Sequence, residues 1–296
     1  MKHKKLIGNF SFSICLFLTS VWAFWGIIEN FHEGWYFDSF WKNIGLMFIQ
    51  YLSPVLIFMM LSLISILKNK IGALLFLTVG IALALIANRF NYFVILPFFV
   101  LAVLIRLSEY TNKKLKYKLI TFIPLSILFV FAIEPAYRIS QRYNDNYFGT
   151  RTISQNGVSL VWAPRGPGWP DKGVSWYEAQ KTCTYLTDDG TSLAETPQNI
   201  WRLPTIDEAV RSMQRHGKNC MGKLNDKGQA EYKIKPDKET PLWNPHSQII
   251  YWWTNSETDS LHAYIIVYNG KIWKRNKNFS PDYLGFRAVK EIDTLK

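Results

Sequence analysis

Asn199-Ile200-Trp201-Arg202-Leu203-Pro204-Thr205-Ile206-Asp207-Glu208 reads as the end of an extended segment running into a helix. Thr205 takes the N-cap position, and Glu208, three residues on, reaches back to its amide in the capping-box pattern. Pro204 keeps Leu203 out of helical dihedrals, so the boundary is sharp. The stretch lies in the second half of a 296-residue chain whose average composition, 49% hydrophobic, conceals two unlike parts. Residues 1–134 are mostly long apolar runs. Residues 135–296 are polar, punctuated by Gly and Pro, and rich in Trp and Tyr.

Outward from that stretch the polar part reads as α+β. Residues 135–156 form a tyrosine-rich connector, and Val158–Trp162 alternates as a first strand. Residues 164–170 carry too much Pro and Gly for regular structure. Ser175-Trp176-Tyr177-Glu178 is a second capping box, opening a helix to about Leu186 with Trp176, Ala179, Cys183 and Leu186 on one stripe. The helix after Thr205 runs to about Arg215, with Ala209, Val210 and Met213 inward. Residues 217–242 are polar and expected to be irregular. A short aromatic strand at 251–256 follows, then strands at 263–268 and 271–275 flanking Asn269-Gly270, a hairpin signal. A closing strand spans 284–289. Two helices packed on a small sheet are expected.

Several of these motifs carry a resemblance. Gly173-Val174-Ser175-Trp176-Tyr177-Glu178-Ala179 with Cys183, Trp201-Arg202-Leu203-Pro204-Thr205 with Glu208, Tyr251-Trp252-Trp253-Thr254, and Phe286-Arg287-Ala288-Val289 follow in that order. Over residues 157–290 the chain resembles the Lcl C-terminal domain family, and through it the formylglycine-generating branch of C-type-lectin-like folds. The resemblance implies a C-type-lectin-like domain outside the cytoplasm, in which Trp201 to Thr205 join sheet to helix and Arg202 sits in polar contacts. The formylglycine-generating enzymes use a late cysteine pair, and residues 221–296 contain no cysteine, so the activity does not carry over with the fold. The sugar-binding calcium motifs of lectins are also missing.

Cys183 and Cys220, the cysteines outside the apolar half, are expected to pair as a disulfide in an exported domain; a redox or metal pair is the alternative. Asp188-Asp189-Gly190 suits either a calcium-gripping turn or an ordinary solvated one. Neither a cofactor nor a metal is expected. Trp252, Trp253, Asn255, Tyr264, Trp273 and Arg275 are the candidate ligand contacts, as aromatic and polar residues on strands; alternation assigns Trp252 and Trp253 to opposite faces, so at least one belongs to the core.

The apolar half contains five segments near the roughly 20 residues that cross a bilayer: 6–28, 43–67, 71–88, 92–106 and 119–134. Four is the competing count, if 71–106 is a broken hairpin. With five, the basic residues Lys2, Lys4, Lys5, Lys68, Lys70, Arg106, Lys113, Lys114, Lys116 and Lys118 all fall on one side, which the positive-inside rule makes cytoplasmic. The net charge of +12 resides mostly there, and no basic block marks the polar half, which argues against nucleic-acid binding. Between the first two segments, Glu29, His32 and Glu33, with Arg89 from another loop, form an outer-interface polar group. Its two readings are a metal-binding or jointly titrating site and an interfacial loop with its charges in water.

The sequence thus describes a multi-pass α-helical membrane region followed by an α+β, C-type-lectin-like extracytoplasmic domain, with residues 291–296 as a tail. Its partners are the lipid bilayer and an envelope glycan, peptide or protein. The leading expectation is a binding module of a bacterial-type cell membrane. A formylglycine-type enzyme with a relocated site and a membrane-embedded function around Glu29, His32 and Glu33 are the alternatives.

Overall fold

The computed structural model describes residues 2–86 and 92–292. It divides into two compact units: Met1–Trp35 with Ser39–Arg138, and Tyr36–Asp38 with Ile139–Lys296.

The first unit is helical. Helix α1 (Lys2–His32) is followed by α2 (Phe40–Leu46), which runs through a π turn (Met47–Tyr51) toward α3 (Ser53–Leu67). The pair is bent by 58°. Pro54 in the first turn of α3 lacks an amide proton and crowds the preceding turn, so one continuous helix through 43–67 is interrupted. Helices α4 (Asn69–Ile86), α5 (Tyr92–Leu107) and α6 (Lys113–Ser140) complete the unit.

Among the described residues, α1, α4 and α6 are long and apolar enough to cross a membrane, and the bent pair makes a fourth. Helix α5, at 16 residues, measures about 24 Å against about 30 Å of hydrocarbon. Each expected segment thus falls on helix over its described residues, with 87–88 of the third lying outside them; the second is broken and the fourth is short. Phe58, Phe76 and Phe98, one each from α3, α4 and α5, meet with ring centroids 4.7–6.2 Å apart at the centre of the unit.

The second unit is α+β. Strand β1 (Arg151–Gln155) and β2 (Val158–Trp162) form a hairpin in register Gln155↔Val158, so Asn156-Gly157 is a two-residue turn. Both turn residues have positive φ, +53° and +78°, the type I′ geometry that Asn-Gly favours. Residues 151–155 therefore belong to the sheet, where composition alone assigns them to the connector.

Helices α7 (Trp176–Tyr185) and α8 (Ile206–Ser212) each begin with a complete capping box, on Ser175/Glu178 and Thr205/Glu208. Short ladders β3 (Gln214–Arg215) with β4 (Lys218–Asn219), and β5 (Lys223–Leu224) with β6 (Ala230–Glu231), follow. The second helix is therefore shorter than expected, because the chain turns into β3. Strands β7 (Tyr251–Glu257), β8 (His262–Val267), β9 (Ile272–Asn276) and β10 (Leu284–Gly285) form a sheet in the order β10-β7-β8-β9. Strand β11 (Val289–Glu291) instead joins the first hairpin in the order β1-β2-β11. The expected closing strand is thus split between two sheets, with Phe286, Arg287 and Ala288 crossing between them.

The crossing is held by Arg287, which is fully buried. Its Nε donates to the Ala163 carbonyl at 2.8 Å, and Nη1 donates to those of Pro241 and Leu242 at 2.7 and 2.8 Å. The guanidinium lies 3.7 Å over the Trp169 ring. Helix α8 packs against strands of both sheets. At the centre, Trp243 stacks on Trp252 with centroids 3.8 Å apart and planes at 11°, and Trp162 lies 5.8 Å from Trp252. An aromatic side chain buries about 150–250 Å², about 4–6 kcal/mol at 25 cal/mol/Å² before entropy is subtracted.

Candidate functional site

The β7-β8-β9 register decides what the strand residues can do. Trp253, Ile265 and Trp273 lie opposite one another and share one face; Trp252, Ile266 and Ile272 share the other. Both faces are covered at the central strands. Trp253 is sealed by the approach to α7, its Nε1 donating to the Val174 carbonyl at 2.8 Å, while Trp176 Nε1 donates to the Thr254 carbonyl at 2.8 Å. Trp252 is sealed by Trp243 and Trp162. Trp252 and Trp253, expected as ligand contacts, are 1% and 0% exposed and are core residues.

The edge strand β9 is different. Trp273 is half-buried, its ring 5.4 Å from that of Tyr251, which in turn meets Tyr283 edge-on at 5.5 Å. The Arg275 guanidinium lies 5.1 Å over Trp273. These four residues make an aromatic ridge with a cationic end. Lys271 and Lys274, on and beside the same strand, are exposed. Tyr264 is half-buried on the opposite face, across from Lys274. Asn255 lies in the irregular stretch of β7, its amide bonded to the Pro204 carbonyl at 2.9 Å, and is not placed with Trp273 by any contact. Of the sequence candidates, Trp273 and Arg275 are therefore brought together. Tyr251, read in the sequence only as part of an aromatic strand, joins them, and so does Tyr283, which carries no sequence signal because it precedes a two-residue strand too short to show alternation.

The Trp201–Thr205 stretch is a joint. Arg202 pairs with Val289 as a single β-bridge, and its guanidinium reaches Glu208 through two 2.7 Å bonds and also Glu291. Those bonds, that to Glu208 first, raise the Arg202 pKa. Burial raises that of Glu208, but the Arg202 bond and the Thr205 amide outweigh it and hold the carboxyl below its usual value. Trp201 is buried, with Nε1 bonded to the Thr187 carbonyl at 2.8 Å; Leu203 and Pro204 are buried behind it.

The expected Cys183–Cys220 bridge is absent: both are free, buried thiols. Burial pushes Cys220 up to about 12 and Cys183 higher still. Cys183 faces the core from α7, so the helical stripe that makes it apolar also takes it away from solvent chemistry. A thiol-based relocated enzyme site finds no support in groups so hard to ionise.

In the 188–190 turn, Asp189 accepts from Thr187 Oγ1 at 2.7 Å and from the Thr191 amide and hydroxyl at 3.1 and 2.7 Å, which holds it at about 2. Asp188 faces Lys290 at 2.5 Å. The turn is closed on its own hydroxyls and a lysine. Among the described residues no three His, Cys, Asp or Glu side chains form a metal-sized group.

Glu29 and His32 occupy the last turn of α1, with Glu33 just beyond it. Burial, and then the neighbouring Glu29, push Glu33 up to about 7. Arg89 lies outside the described residues.

Residues 236–240, expected to be irregular and polar, are deeply buried. Asp237 receives Arg142 at 3.0 Å and Arg215 at 2.8 Å, Glu239 receives Arg215 at 3.1 Å, and Lys238 bonds the Ser247 carbonyl. Burial drives Lys238 well below the usual lysine range. This charged seam ties the connector to the α+β unit.

No family model, curated protein or solved structure matches the chain.

Proposed function

We propose that the chain is a membrane-anchored binding protein that displays its α+β unit, of C-type-lectin-like type, outside a bacterial-type cell membrane. The helical unit anchors, and the β9 ridge recognises an envelope glycan, peptide or protein. The reading rests on one observation above all: Trp273 and Arg275, on the edge strand β9, keep half-exposed aromatic and cationic surface on the sheet face where Tyr251 and Trp253 are buried. Exposed aromatic and arginine side chains at a rigid edge are what interfaces use as anchors. Placement outside requires α5 to cross as well, which its length permits in a locally thinned bilayer.

The test is binding of full-length protein in nanodiscs to envelope fractions. Saturable binding that is lost in Trp273→Ala, with a melting temperature lowered by only a few degrees, is expected. Equal binding by that variant moves recognition away from β9.

A further inference from the structure

Helices α4 and α5 flank an open groove of about 540 Å³, lined by Lys70, Ala73 and Leu74 on one side and by Ala102, Val103 and Arg106 on the other. The volume falls within the roughly 300–1,000 Å³ of small-ligand sites. Its existence follows from two residues. Ala73 and Ala102, each 5% exposed, floor it, and their short side chains leave space that a Leu or Phe would fill. The walls, Leu74 and Val103, are 61% and 60% exposed. The helices run antiparallel, so the first turn of α4 and the last turn of α5 place Lys70 and Arg106 at the same end. Both side chains are exposed, and neither forms an ion pair with a carboxylate among the described residues.

We propose that this groove holds one anionic phospholipid, its acyl chain along the alanine floor and its phosphate between Lys70 and Arg106. An apolar trough closed at one end by two cations matches that amphiphile and fits neither a free phosphate nor a neutral lipid. Basic pockets between membrane helices bind acidic headgroups on the cytoplasmic side, where the positive-inside pattern places these two residues. The inference rests on the membrane reading but not on what the α+β unit recognises.

The experiment is native mass spectrometry of the full chain, released from nanodiscs of phosphatidylglycerol mixed with phosphatidylethanolamine. Retention of phosphatidylglycerol by the wild type is expected. Lys70→Gln with Arg106→Gln should weaken it about thirtyfold, each interfacial cation contributing about fivefold. Ala102→Leu, which leaves both charges in place, should also abolish retention, and this separates a built groove from lipid gathered by surface charge. Retention of both lipids alike, or full retention by Ala102→Leu with an unchanged melting temperature, overturns the proposal. A chain that does not enter nanodiscs at all overturns the membrane reading itself.

Discussion

Trp252 and Trp273 lie in the same sheet with β8 between their strands, and replacing each by alanine should have very unequal consequences. Trp252 is 1% exposed and stacked on Trp243 at 3.8 Å. Emptying its site should cost about 3–5 kcal/mol for the cavity and lost transfer, with about 0.5–1.5 kcal/mol more for the ring pair. Against a domain stability of about 5–15 kcal/mol, that is a large share of the whole. At about 2–4 °C per kcal/mol for a unit of this size, its melting temperature should fall by about 7–26 °C. Trp273 is half-buried, its ring resting on that of Tyr251. Its loss should cost about 1 kcal/mol, a few degrees. Near-ultraviolet circular dichroism melts of both full-length variants in nanodiscs measure this. A Trp252→Ala melt within about 3 °C of wild type, or a Trp273→Ala fall as large as that of Trp252→Ala, would refute the division between core and recognition residues.

Other perturbations follow from the same geometry. Arg202→Ala should destabilise by about 1 kcal/mol, because the pair is partly exposed and screened. Since the folded Glu208 pKa is depressed, its stabilisation is present above the unfolded value near 4.5 and is lost as pH falls through the lower folded value; that acid loss should shrink in the variant, read as melting temperature against pH. Gly157→Ala should cost about 1–2 kcal/mol by denaturant melts, since φ is +78° and the added methyl meets Arg211 Nη1 at 3.3 Å. Cys183 and Cys220 should resist alkylation in the native protein and react fully once it is denatured without reductant; peptide mapping that finds them linked would contradict the free buried thiols.

What the sequence made legible was local. Both capping boxes are four-residue patterns, and both occur where Ser175 and Thr205 place them. Asn156-Gly157 carries the same hairpin signal as Asn269-Gly270 and marks β1 as clearly. At the second pair the turn is of a different type: the Gly270 amide bonds the Val267 carbonyl and the Val267 amide bonds that of Lys271, which makes a three-residue loop with Gly270 at φ +84°. What was not legible depends on contacts distant in sequence. Residues 236–240 read as solvated because Asp237 and Glu239 are charged, yet Arg142, 95 positions earlier, and Arg215 neutralise them in the interior. Alternation assigns Trp252 and Trp253 to opposite faces but is silent on whether both faces are covered. The split of 284–291 between two sheets turns on the inward Arg287, whose partners come from residues 163, 241 and 242.

The most direct test of a binding face displayed outside the membrane is Trp273→Cys labelled with a membrane-impermeant maleimide on intact spheroplasts. The native thiols are buried, so background labelling is low. The account predicts labelling without lysis and its suppression by envelope fractions that bind. Labelling only after lysis would place the α+β unit on the cytoplasmic side and contradict the account.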